Sequence, residues 1–122
     1  GCTNSKASNY NSEATKDNGS CLYEANVAFW MDNTEYLELT LMGVNTLKIY
    51  IDNQPVGTLP IEDFRDEAPN CFDEKTVSTK QSFGGSQSHV VEVEIRDQDE
   101  ELLSEKVLTI TANNCHIEQM VF

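Results

Sequence analysis

The sequence predicts an all-β fold, an antiparallel immunoglobulin-like sandwich of about seven to eight short strands. Three observations carry that expectation. From Leu22 onward apolar and polar residues alternate with a period of two. Turn signals interrupt the alternation about every 8–12 residues. The one helical candidate, Asp99 to Glu105, has neither a convincing cap nor enough length.

Val27-Ala-Phe-Trp-Met31 is the first strand and is apolar enough to be buried. Tyr36-Leu-Glu-Leu-Thr-Leu-Met42 follows, with Leu37, Leu39 and Leu41 on one face and Glu38 and Thr40 on the other, as strand geometry requires. Gly43-Val-Asn45 turns the chain into Thr46–Ile51, which buries Leu47, Ile49 and Ile51. Asp52-Asn-Gln-Pro55 then turns it into the short partner Val56–Leu59. Beyond an acidic loop come Thr76–Ser82, a turn at Phe83-Gly-Gly-Ser86, and His89–Arg96, which directs Val91, Val93 and Ile95 inward. Asp97-Gln-Asp-Glu100 makes the next turn, and Val107–Thr111 and His116–Phe122 are the last two strands. One wet and one dry face per strand is what antiparallel sheets allow.

Residues 1-20 contain little to bury: Thr, Asn, Ser and Lys dominate, with Tyr10 as the one aromatic. They are expected to be a flexible tether, since burial would not offset the entropy of ordering them. Residues 21-122 then form a single sandwich domain. A cysteine at position 2 ahead of a polar tether and a strand-rich body is the pattern of an acylated bacterial lipoprotein. Cys2 is therefore the expected lipid attachment site, with an ordinary cysteine paired to Cys21 as the alternative. The expected address is the bacterial cell envelope, as an outer-membrane lipoprotein facing the periplasm or the cell surface. Asn18-Gly-Ser20 matches the N-glycosylation pattern, which in a bacterial tether is coincidence.

With 8 basic and 21 acidic residues the chain carries a formal charge of −13. Such a surface repels nucleic acid and favours a soluble monomer, so no nucleic-acid partner is expected. Two runs concentrate the acids, Glu62 to Glu74 and Asp97 to Glu101. Neither has the spacing and central glycine of a helix–loop–helix calcium site, so both are expected to be solvated loops, with no metal or other cofactor. Of the later cysteines, Cys71 and Cys115 each follow a turn signal and are the expected disulfide; its loop would stabilise the fold by about 4 kcal/mol in the chain-entropy picture. Cys21 is then either free and buried or a partner to another cysteine. No two cysteines have zinc-ligand spacing.

Leu47-Lys-Ile-Tyr-Ile-Asp-Asn-Gln-Pro-Val-Gly-Thr-Leu-Pro60 resembles the opening of PEGA-type modules, in which a strand ends in an Asp at the turn and a short Val-Gly strand follows. Gly84-Gly-Ser-Gln-Ser-His-Val-Val-Glu-Val93 resembles that family's second half. The two pieces cover about a fifth of the chain. The acidic, Cys-containing insertion between them departs from the compact module and is more similar to small β-sandwich lipoproteins of Gram-negative anaerobes. The resemblance implies an extracytoplasmic immunoglobulin-like sandwich without catalysis, and it carries over no functional residues. An antibody-type domain is disfavoured, because residue 113 is Asn where a tyrosine corner would place Tyr.

Signals for catalysis are poor. His89 and His116 each begin a strand and are expected to be structural. Cys115 and His116 are neighbours on a strand and point to opposite faces, so they cannot form a nucleophile–base pair. No Gly-x-Ser-x-Gly elbow, phosphate loop or His-Glu-x-x-His occurs. Tyr36 and Tyr50, opposite Leu37 and Ile49, are the possible ligand contacts, as a stacking platform for sugars; the alternative is that they cover a sheet by cross-strand pairing. The expected function is a lipid-anchored, non-enzymatic interaction module with a protein or glycan partner. A carbohydrate-binding module of a glycan-uptake system is the alternative.

Overall fold

The computed structural model describes residues 1–15, 19 and 21–122. Among the described residues seven strands form two sheets. The first sheet is built from β1 (Glu24–Trp30), β4 (Val77–Ser82) and β7 (Cys115–Gln119), with β1 in the centre. The second has the order β3-β2-β5-β6, with β2 (Thr46–Ile51), β3 (Gln54–Pro60), β5 (Ser88–Arg96) and β6 (Leu102–Thr111). In an immunoglobulin sandwich strands C′, C, F and G lie side by side and B pairs with E. The second sheet and the β1–β4 pair repeat that order. Strand β7 departs from it by running parallel to β1, with Asn26 opposite Cys115 and Trp30 opposite Gln119.

The alternation read from the sequence places the core. Leu47, Ile49 and Ile51 from β2, Val91, Val93 and Ile95 from β5, and Val27 and Phe29 from β1 are buried together between the sheets. The β2–β3 connection is a two-residue hairpin in which Asp52 and Asn53 both take positive φ, 50° and 66°. That is the primed turn whose twist suits a hairpin, and Asp and Asn tolerate it best after Gly.

Two expectations are corrected. The segment expected as a strand from Tyr36 to Met42 is the helix α1 (Asn33–Leu41). Asp32 caps it, accepting the backbone N–H groups of Thr34 and Glu35 at 2.9 and 3.3 Å. Gly43, at φ 79°, ends it: Gly43 N–H bonds the Thr40 carbonyl and Val44 N–H the Leu39 carbonyl, a Schellman closure sealed by the buried pair Leu39 and Val44. Only Leu39 of the three alternating leucines is buried; Leu37 and Leu41 are exposed. Asp99 to Glu105, which lacked a cap and length for a helix, forms none, and the expected turn at Asp97–Glu100 is present. Asp97 is buried, and its Oδ1 accepts the N–H groups of Asp99 and Glu101, making a tight turn from which β6 starts at Leu102.

Second, residues 1–15 of the N-terminal segment lie on the body instead of hanging free. Cys2 is 1% exposed and is disulfide-bonded to Cys21. With Ala7, Tyr23 and Ala112 these cysteines form a second small core. Ser8 N–H donates to the Leu22 carbonyl at 2.8 Å, the Asn9 side chain accepts from Leu22 N–H at 2.8 Å, and Asn4 Nδ2 donates to the Tyr23 hydroxyl at 2.9 Å. A polar segment can dock in this way because Asn side chains supply its hydrogen bonds and a covalent bond supplements the meagre apolar burial. Asn18 and Ser20 of the Asn18-Gly-Ser20 pattern lie outside the described residues.

Candidate functional site

The two lateral seams of the sandwich, where the sheets meet edge to edge, are built differently. On the β3–β4 side Gly57 lies against Val77, so closely that a Cβ at position 57 would be 2.7 Å from Val77 Cγ1. That seam is closed by shape. On the β6–β7 side the inward positions of β6 are set by its register with β5: Val91 opposes Leu108, Val93 opposes Lys106, and Ile95 opposes Ser104. Leu108 and Ile110 complete the core, but Ser104 and Lys106 replace apolar residues where the core should continue.

The result is a cleft of about 250 Å³ between the sheets, floored by the buried Phe29, Val93, Ile95 and Met120 and rimmed by Ser104, Lys106, Glu118 and Gln119. An apolar floor with a few polar groups at the mouth is the usual make-up of a ligand pocket. Across the mouth Lys106 Nζ pairs with Glu118 Oε1, joining the edges of the two sheets. The second oxygen of Glu118 lies 3.1 Å from His116 Nε2, so one carboxylate of β7 serves two groups. Gln119 reaches from the same strand to Asp32 Oδ2 at 3.2 Å, tying β7 to the start of α1. At that start the Glu35 carboxyl is 6% exposed, and one of its oxygens is buried without a hydrogen-bond partner. Burial and the neighbouring Asp32 carboxylate push Glu35 above the usual carboxylate range, while the hydrogen bond from Glu35 holds Asp32 below it.

The expected disulfide, Cys71–Cys115, is formed. It fastens the start of β7 to the β3–β4 connection and so links the open side of the sandwich to the closed one. Cys115 is thereby committed, and His116 faces Glu118. His89 stacks on Phe83 with ring centroids 5.8 Å apart.

The two tyrosines do not share a face. Tyr36 belongs to the helix, where it packs on the core and on Phe64, with ring centroids 4.9 Å apart. Tyr50 is on the outer face of β2 and donates to Glu100 Oε2 at 2.8 Å, beside the Lys48–Glu100 ion pair of 2.7 Å. These two donors lower the Glu100 pKa, and in return the tyrosine hydroxyl and the lysine are both pushed up. The acidic loops satisfy themselves in part: Arg65 donates to the carbonyls of Glu67 and Glu74, and Asp73 accepts from Asn70 N–H. Among the described residues no three His, Cys, Asp or Glu side chains converge in a metal-binding group.

The β6–β7 cleft was not foreseen from the sequence. Its signal was the break in apolar alternation at Ser104 and Lys106, at inward positions of a strand expected to start only at Val107. Among the described residues no helix is long and apolar enough to cross a membrane. Comparison with family models, with curated proteins and with solved structures returned no match for this chain.

Proposed function

We propose that this chain is a non-catalytic recognition module that works outside the reducing cytosol and presents the open seam of an immunoglobulin-like sandwich to its partner. The observation that carries the reading is the pair of disulfides, Cys2–Cys21 and Cys71–Cys115, which account for all four cysteines. Disulfides persist in oxidising compartments, and small exported domains rely on them. Support for recognition over chemistry comes from the cleft, whose floor is apolar and whose rim carries a mutually neutralising Lys–Glu pair. The sugar-platform alternative draws no support from Tyr36 and Tyr50, since one packs inward and the other is bonded to Glu100.

The envelope address belongs to the same proposal and takes one of two forms at Cys2. A lipid thioether and the Cys2–Cys21 bond both require the same sulfur, so lipidation leaves Cys21 as a free thiol. Intact mass of protein isolated from its native cells, alkylated without reductant, tests both. No alkylation is expected for the doubly bridged form, and one alkylated thiol plus an acyl-containing mass for the anchored form. Alkylation of Cys71 or Cys115 would sink the extracytoplasmic reading altogether.

A further inference from the structure

The open seam also has a strand with one free edge. β6 is ten residues long and forms the edge of its sheet, so among the described residues the backbone groups on its outer side have no strand partner. Natural edges are guarded by inward-pointing charges, and Lys106 is one. The guard is weak. The Lys106 side chain is 49% exposed, so water screens its pairing with the more buried Glu118 carboxylate, which keeps His116 as a second partner. Swinging Lys106 aside therefore costs little and uncovers the floor of Phe29, Val93, Ile95 and Met120.

Charge on the outer face of the same edge is unbalanced. Glu105 stands directly opposite Glu94 in the β5–β6 ladder, and Glu92 opposes the exposed Val107. Arg96 engages Glu94 at 2.8 Å, which leaves Glu105 facing a neighbour already in use. Like charges opposite one another on a sheet are destabilising, and a cation placed beside Glu105 would relieve them.

Resting on the recognition reading above, the geometry points to the β6 edge and its cleft as the docking site of an extended peptide segment that alternates apolar and basic residues. The peptide adds a strand to β6, its apolar side chains entering between the sheets and its basic ones lying beside Glu105. The period of two in the partner follows from the pleat, because successive side chains face opposite sides of the sheet. A second copy of this chain is the poorer occupant: each copy carries −13, and the acids of the two edges would meet.

The test is a titration of the full isotope-labelled chain with the synthetic peptide Lys-Val-Lys-Phe-Lys-Val-Lys, followed by amide NMR, with Glu-Val-Glu-Phe-Glu-Val-Glu as the control. The expected result is a set of shift changes concentrated in β6 and β7 for the basic peptide alone. Ser104→Phe, which fills the cleft, should weaken binding about tenfold or more, as blocking an anchor pocket does. Glu105→Lys, which leaves the core untouched and replaces the like-charge pairing with Glu94 by an attractive one, should weaken it severalfold with a melting temperature no lower than that of the wild type. Changes mapping to the 61–74 loop, equal binding of the acidic peptide, undiminished binding by both variants, or dimerisation through β6 seen by light scattering would each overturn the proposal. Free Cys71 or Cys115 with peptide binding intact would sink the extracytoplasmic reading and leave this one standing.

Discussion

The β3–β4 seam and the β6–β7 seam close the same sandwich by opposite means. At the first, a glycine lets two strands approach until Gly57 touches Val77, and no polar side chain is needed. At the second, the core stops short and the gap is bridged by Lys106 and Glu118. Shape complementarity admits no rearrangement without strain, whereas an exposed ion pair can be exchanged for another partner at small cost. The difference marks which side of the molecule is built to stay shut and which can accept a ligand.

The largest effect is expected where the two sides are tied together. Replacing Cys71 and Cys115 by Ser removes the bond between the β3–β4 connection and β7. For a separation of 44 residues the loss should be about 4 kcal/mol in urea unfolding. A loss under about 1 kcal/mol would mean that β7 is held by its parallel pairing with β1 alone. Next in size is Gly57→Ala. Val77 is buried and stiff at χ1, so the added methyl must push strands apart, at about 1–3 kcal/mol. An unchanged unfolding midpoint would show that the closed seam is looser than its geometry.

At the open seam the order of effects reverses: stability should hardly move, but association should. Lys106→Leu removes a half-exposed lysine, leaves Glu118 beside His116 and extends the apolar floor, so the change in unfolding free energy should stay within about 1 kcal/mol. The variant loses its inward charge on an edge strand and should self-associate in sedimentation experiments where the wild type does not. A monomeric Lys106→Leu protein would assign edge protection to the outer glutamates instead.

The contrast between seams also explains what could be read in advance. β2 and β5 were legible because each buries one face and wets the other, so their sequences carry the period of two. The same pattern misled at residues 36–42, where Leu37, Leu39 and Leu41 alternate although only Leu39 is buried. The deciding signals were short: Asp32 with Glu35 three positions on, and Gly43 at the far end, a capped helix in outline. The first half of β6 was hidden for the reason that makes it interesting, since Ser104 and Lys106 occupy inward positions. Docking of residues 1–15 depends on Cys2 meeting Cys21, which the sequence offered as the alternative to a lipid, and on Asn side chains bonding residues far along the chain. Neither leaves a periodic trace.

The smallest effect lies where the open seam meets the helix. Gln119 of β7 holds Asp32, and Asp32 shares a hydrogen bond with the buried Glu35. Burial raises the Glu35 pKa in the folded chain, so the folded state binds that proton more tightly than the unfolded one. Wild-type stability should therefore gain as pH falls from the raised value of Glu35 toward the unfolded value of about 4.3. Asp32 has the opposite sign: its depressed folded pKa contributes stability above the unfolded value of about 3.9, which is lost as pH drops through the folded one. Glu35→Gln keeps a side chain able to complete the helix cap while abolishing the titration. Its melting temperature should exceed that of the wild type near neutral pH, with a gap that shrinks as pH approaches 4.3. Parallel melting curves for the two proteins from neutral pH down to that point would show that Glu35 is solvated in the folded state, and that the charge anchoring β7 to the helix is an ordinary surface cap.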